Sequence, residues 1–191
     1  MTKKLVVLIS GNGSNLQAIL DACQNGELNC EVVAVVANKA NAYGLERARK
    51  FNIPTIIKVP SPGQSRQEYD KELAQEILVF QPDWIILAGW MRLLSNTFLN
   101  YFTDKIINLH PALPGMFPGT RAIAEAFAAF QQGDIDHTGV MVHFVPDEGV
   151  DTGPAITQET VPIYADDTLE TLTARVHEIE HRLLIITLKD L

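Results

Sequence analysis

The first two dozen residues constrain this chain most. Leu5–Ser10 is an apolar run closed by a serine, the pattern of a parallel strand covered on both faces. Gly11-Asn12-Gly13-Ser14-Asn15 breaks it, and Leu16–Cys23 reads as a helix. A strand, a glycine turn and a helix in that order predict a βαβ unit, whose next strand returns parallel to the first. The alternation continues: Glu31–Ala37 is a strand, Ala42–Phe51 a short helix, and Thr55–Val59 a strand after Pro54. Ser65-Arg66-Gln67-Glu68 is a capping box, and the helix it opens carries Tyr69, Leu73 and Ile77 on one face. Trp84–Ala88 and Ile106–His110 are strands stopped by Gly89 and Pro111. Gln131–Gly139 reads as a polar turn, Val140–Val145 as a strand, and Pro146–Pro154 as a long loop with three acids and two glycines. Ile156–Ile163 is a last, more polar strand, and a long helix opens between Asp167 and Glu170. The expected fold is α/β: a doubly wound, mostly parallel sheet with helices on both faces, forming one domain over residues 1–191.

A chain of 191 residues, 47% apolar, can bury one sizeable core. Its net charge of −8, with no basic run, argues against nucleic-acid or membrane partners. An anionic ligand must then meet a local positive field, at a helix N-terminus or a placed arginine. Cys23 and Cys30 show neither CxxC nor metal spacing and read as thiols of a reducing compartment. Five apolar residues after the leading lysines are too few for a signal segment, and no run approaches the roughly 18 that a membrane span needs. A cytoplasmic protein is expected.

In doubly wound sheets, ligands sit beyond the carboxyl ends of the strands. Two segments fall there. In Gly11–Asn15 the dinucleotide pattern fails at Leu16, and the Gly-Lys-Ser/Thr of a nucleotide-binding loop is absent. What remains suits one small phosphate, or else a plain turn capped by Ser14 or Asn15. In Asn108-Leu109-His110-Pro111, period two puts Asn108 and His110 on one face, where an amide and an imidazole can stabilise an oxyanion and move a proton. Asp147, Glu148 and Asp151 are the carboxylates that could support the imidazole; a satisfied core histidine beside solvated acids is the alternative. His143, alternating with Met141 and Val145, reads as packing before a role in fixing the acidic loop, and His137 as solvated in its turn.

The segments VVLISGNGSNLQAI, ANKANAYGLERAR, SRQEYDKEL, LAGWMRLLS, INLHPAL, HTGVMVHFV and DEGVDTGP together resemble the phosphoribosylglycinamide formyltransferase family of folate-dependent enzymes, nearly end to end. The resemblance implies a Rossmann-like formyltransferase fold. It also implies transfer of a formyl group from the co-substrate 10-formyltetrahydrofolate to the amine of 5-phosphoribosylglycinamide in purine biosynthesis, with no permanently bound cofactor. By the same resemblance Asn108, His110 and Asp151 are catalytic, with a protonated His110 supported by Asp151. Asn12, Gly13, Ser14 and Asn15 hold the substrate phosphate, while His177 and Glu180 lie near its ribose. Arg66, Met91, Arg92, Leu93 and Leu94, with Asn108, take the folate, and Pro146, Asp147, Glu148, Gly149, Val150 and Asp151 wrap its pterin.

Two readings compete with that one: a non-catalytic sugar-phosphate binding module, and a zinc metallohydrolase, because His177-Glu178-Ile179-Glu180-His181 fits H-E-x-x-H. The helix carrying that motif has an expected core stripe of Leu169, Leu172, Val176, Ile179, Leu183 and Ile186, which turns His177 and His181 away from the core and sets Glu180 at the stripe's border. No metal is expected.

Overall fold

The computed structural model describes residues 2–191. In chain order the elements are β1 (Lys3–Ile9), α1 (Ser14–Gln24), β2 (Cys30–Ala37), α2 (Gly44–Lys50), β3 (Thr55–Ile57), α3 (Arg66–Leu78) and β4 (Trp84–Leu87). They continue with α4 (Asn96–Leu99), β5 (Ile106–His110), α5 (Ala122–Gln132), β6 (His137–Phe144), β7 (Ala155–Pro162) and α6 (Leu169–Asp190). The seven strands form one sheet in the order β3-β2-β1-β4-β5-β6-β7. The first five run parallel, whereas β6 is antiparallel to β5 and β7 antiparallel to β6.

Alternation along β1 explains the two-sided core. Leu5, Val7 and Ile9 pack with Leu16 and Ile19 of α1 and with Leu172, Val176 and Leu184 of α6. Val6 and Leu8 face the opposite layer, built on Tyr69, Leu73 and Ile77 of α3 and Phe98 of α4. Both faces of the strand are therefore buried, which is why it reads as an unbroken apolar run. The capping box at Ser65 forms as expected: its hydroxyl accepts from the Glu68 N–H while the Glu68 carboxylate accepts from the Ser65 N–H. Among the described residues no helix is long and apolar enough to cross a membrane.

Three details depart from the sequence reading. His137 belongs to β6, where it pairs with Pro162, so the polar turn ends before it. Helices α4 and α5 fill stretches for which no element was expected, α5 ending at Gly133 in a left-handed conformation (φ 82°). On α6, Leu169 and Ile186 are 36% and 40% exposed, while Leu172, Val176, Leu183, Leu184 and Leu188 are buried. The helix leans on α1, β6 and β7, and that seat places Glu180, only 6% exposed, within the buried face instead of at its border.

Candidate active site

The carboxyl ends of β1, β4 and β5 open onto two adjoining clefts. One is walled by Gly89–Leu94, Asn108–Pro111, Gly119, Thr120 and the loop Asp147–Asp151. The other is walled by Ser10–Asn15, Lys39, the start of α5 at Thr120–Ala124, and Leu169, Thr173, His177 and Glu180 of α6. Gly89, Met91, Leu109, Pro111 and Thr120 line both. Asn108 and His110 therefore stand beside the junction.

The glycine loop forms one wall of the second cleft. Gly13 is the N-cap of α1 at φ 74°, with no side-chain cap. The expected alternative, a turn capped by Ser14 or Asn15, is not what forms, because these two are the first helical residues. Their backbone N–H groups have no acceptor within the helix and are available to an anion. Lys39 and Arg121 add positive charge to the walls. Glu180 lies across from the loop, and burial pushes its carboxyl up to about 7, against the opposing effect of Asn15. His177 is exposed, with Nε2 3.8 Å from a Glu180 oxygen.

Asp151 is the hub of the other cleft. Its Oδ2 accepts from the Gly119 N–H at 2.8 Å and lies 3.3 Å from His110 Nδ1. Its Oδ1 accepts from Asn108 Nδ2 at 3.0 Å and lies 3.7 Å from His143 Nε2. Burial raises the Asp151 carboxyl, but the His143 imidazole, the Gly119 N–H and His110 outweigh it and hold the group below its ordinary range. Of the three acids that could have supported the imidazole, Asp151 does so. Glu148 pairs with Arg66 and accepts from the Asn96 N–H at 2.7 Å, and Asp147 accepts from the Gly149 N–H.

His110 is 3% exposed. Burial lowers its pKa, and although Asp151 and the Phe117 carbonyl act upward, the net direction is down. That direction favours the uncharged ring, while the Asp151 carboxylate and the Phe117 carbonyl favour the protonated ring that the resemblance implies. Its Nε2 lies 3.1 Å from the Phe117 carbonyl, so each ring nitrogen faces an acceptor. A neutral ring leaves one lone pair against an oxygen, whereas a cation formed during reaction would be met at both ends.

His143 both packs in its strand and reaches the acidic loop at Asp151. It is 2% exposed, it sits directly opposite Asn108 in the β5–β6 register, and its Nε2 lies 3.1 Å from Asn108 Nδ2. Its Nδ1 donates to the Phe144 carbonyl at 2.8 Å. The Asn108 amide nitrogen therefore stands between His143 Nε2 and Asp151 Oδ1. The available signal was the facing pair Asn108 and His143, visible only once β5 and β6 are known to be antiparallel neighbours.

The remaining expected positions divide. Met91, Arg92, Leu93 and Leu94 line the first cleft as one wall, with Met91 and Leu93 about half exposed. Asp147, Glu148, Gly149, Val150 and Asp151 form the facing loop. Pro146 is exposed at that loop's outer edge, beside Gly153, where a Cβ would stand 2.9 Å from its ring. Arg66 reaches the cleft through its ion pair with Glu148. In the H-E-x-x-H segment, His177 is exposed, His181 is partly buried, and no set of three or more metal-ligating side chains comes together among the described residues.

The chain is similar to known proteins over nearly its whole length. A family model described as formyl transferase matches residues 3–188. A Schizosaccharomyces pombe protein named phosphoribosylglycinamide formyltransferase is 49% identical over 97% of this chain and 95% of its own length. One of the same name from Escherichia coli is 47% identical over 93% of this chain and 81% of its own. The crystal structure of phosphoribosylglycinamide formyltransferase from Bacillus halodurans superposes with a TM-score of 0.92 at 39% identity, covering 98% of this chain and 94% of that one.

Proposed function

Because the chain belongs to the formyl transferase family, we propose that it transfers the formyl group of 10-formyltetrahydrofolate to the amine of 5-phosphoribosylglycinamide, a step of purine biosynthesis. The observation that carries this reading is the junction of the two clefts beside Asn108 and His110. One cleft offers helix N–H groups and cations to a phosphate. The other is a largely apolar slot between Gly89–Leu94 and Asp147–Asp151, suited to a flat heterocycle. A formyl donor and a phosphorylated acceptor, one in each cleft, would meet at the imidazole.

In this reading the uncharged amine attacks the formyl carbon. The new C–N bond forms as the carbonyl pair moves to oxygen. His110, its Nε2 turned from the Phe117 carbonyl toward the junction, takes a proton from the nitrogen that has become positive. The resulting cation is held by Asp151 at Nδ1. Asn108 turns one amide hydrogen from its present partners to the oxyanion, a contact typically worth about 2.7–4 kcal/mol in such sites. As the oxyanion collapses, the bond from the formyl carbon to the folate nitrogen breaks and His110 returns its proton to that nitrogen. Tetrahydrofolate and the formylated ribonucleotide leave.

Glu180 accepts from the ribose hydroxyls, and His177 lies at the edge of the same pocket. Residues 1–191 act as a single formyltransferase domain, and the free thiols Cys23 and Cys30 accord with a cytoplasmic setting. Product analysis of the purified protein tests the reading. Formylation of the ribonucleotide but not of free glycinamide supports it, and equal formylation of both would remove the role given to the phosphate pocket.

A further inference from the structure

The glycine loop is held from behind by a side chain that does not line either cleft. Arg47, on α2, donates from Nε to the Asn12 carbonyl and from Nη2 to Asn12 Oδ1, both at 2.9 Å, and from Nη1 to Gln17 Oε1 at 3.1 Å. Its guanidinium lies over the Tyr43 ring, 5.0 Å from the centroid. One residue earlier in the loop, the Gly11 carbonyl accepts from the Gly44 N–H at 3.1 Å. The close approach of loop and α2 needs the glycine at 13, where a Cβ would stand 2.8 Å from Gly44 Cα.

Peptide planarity turns these two contacts into a statement about the opposite side of the loop. In a trans peptide the C=O and the following N–H point in opposite directions. With the Gly11 and Asn12 carbonyls drawn toward α2, the N–H groups of Asn12 and Gly13 are turned away from it, toward the cleft. Glycines leave this stretch with few torsional constraints of its own. The forked guanidinium supplies the constraint, and its charge sits behind the two donors.

We propose that Arg47 is a positioning residue for the acceptor substrate. By pinning the Asn12 carbonyl and side chain it aims consecutive backbone N–H groups at the substrate phosphate, without touching the substrate itself. The inference rests on the phosphate reading of this loop given above. It deepens that reading by assigning part of the phosphate affinity to a residue behind the loop.

The test compares wild type with Arg47→Lys and Arg47→Met in steady-state assays and in amide NMR spectra during titration with inorganic phosphate. The KM for the ribonucleotide should rise about 10- to 100-fold in both variants, the expected loss for charge-assisted hydrogen bonds. The turnover number and the KM for 10-formyltetrahydrofolate should stay within about twofold to threefold on the same scale. Lysine should not rescue, since one ammonium cannot hold the carbonyl, the amide oxygen and Gln17 together. Phosphate should shift the Gly13 amide in wild type at concentrations that leave Arg47→Lys unchanged. Rescue by lysine, a ribonucleotide KM near wild type, or a parallel loss of turnover and folate affinity would each overturn the proposal. If wild type shows no phosphate response at Gly13–Asn15, the phosphate reading itself fails; if both proteins respond alike, the role of Arg47 alone fails.

Discussion

Asp151 Oδ2 stands 3.3 Å from His110 Nδ1, and both the acid and the residue opposing it across the ring occupy left-handed backbone: Asp151 at φ 54° and Phe117 at φ 44°. Non-glycine residues in that region typically cost about 1–3 kcal/mol each and persist where their surroundings dictate them. Here Gly119 and Asn108 hold the carboxylate, and the turn at Phe117 directs a carbonyl to Nε2. The imidazole is buried, and both its nitrogens are aimed at acceptors. A carboxylate at Nδ1 stabilises the cation that such a ring becomes when it receives a proton.

Asp151→Asn should leave a folded protein, since asparagine tolerates left-handed backbone and its amide oxygen can still accept from Gly119. Asp151 acts upward on the His110 pKa, so its removal must shift the His110 titration to lower pH than in wild type. Turnover should fall by roughly 10²- to 10⁴-fold, the usual range for a lost proton-transfer function. NMR titration of the His110 ring protons checks the first part; an unchanged or upward shift would contradict the pairing.

Glu180 makes stability depend on pH in a direction opposite to that of a salt-bridged acid. Its pKa is raised by burial to about 7, so the folded state holds a proton that the unfolded state releases near the ordinary carboxylate range. The stabilising contribution is therefore present in full below about pH 4.5 and declines as pH rises toward 7. Relative to Glu180→Gln, wild type should lose on the order of 3 kcal/mol across that window. Urea unfolding of both proteins at several pH values measures the difference, and parallel curves would show that Glu180 is ionised in the fold.

Treatment with a chelator should leave formyl transfer unchanged. His177 and His181 satisfy the H-E-x-x-H spacing, but a catalytic zinc needs a third protein ligand, and among the described residues none joins them. Stoichiometric zinc in protein purified without chelators, together with loss of activity on its removal, would overturn this expectation.

The sheet was legible because its strands are buried on both faces: Val6 and Leu8 face one layer, Leu5 and Val7 the other, and neither set can be polar. Asn108 and His110 were legible because period two and the proline stop are local properties. Helix α5 was not, because alanines on every side of Ala122–Gln132 blur the contrast between a buried and an exposed face. The face of α6 was misjudged at Leu169 and Ile186 because α1, β6 and β7 decide which side is covered, and a lone helical repeat cannot say where those neighbours stand. The pairing of His143 with Asn108 was hidden for the same reason, since Asn108 lies 35 residues away on another strand.

In the proposed reaction His110 moves the proton as the formyl group passes to the phosphorylated amine. The most direct measurement is single-turnover transfer from isotopically labelled 10-formyltetrahydrofolate to 5-phosphoribosylglycinamide, comparing wild type with His110→Ala. Wild type should release the labelled formamide and tetrahydrofolate in equal amounts. The variant should bind both substrates with affinities near wild type and transfer roughly 10²- to 10⁴-fold more slowly. No labelled ribonucleotide from wild type, or a transfer rate in His110→Ala close to that of wild type, would contradict the account.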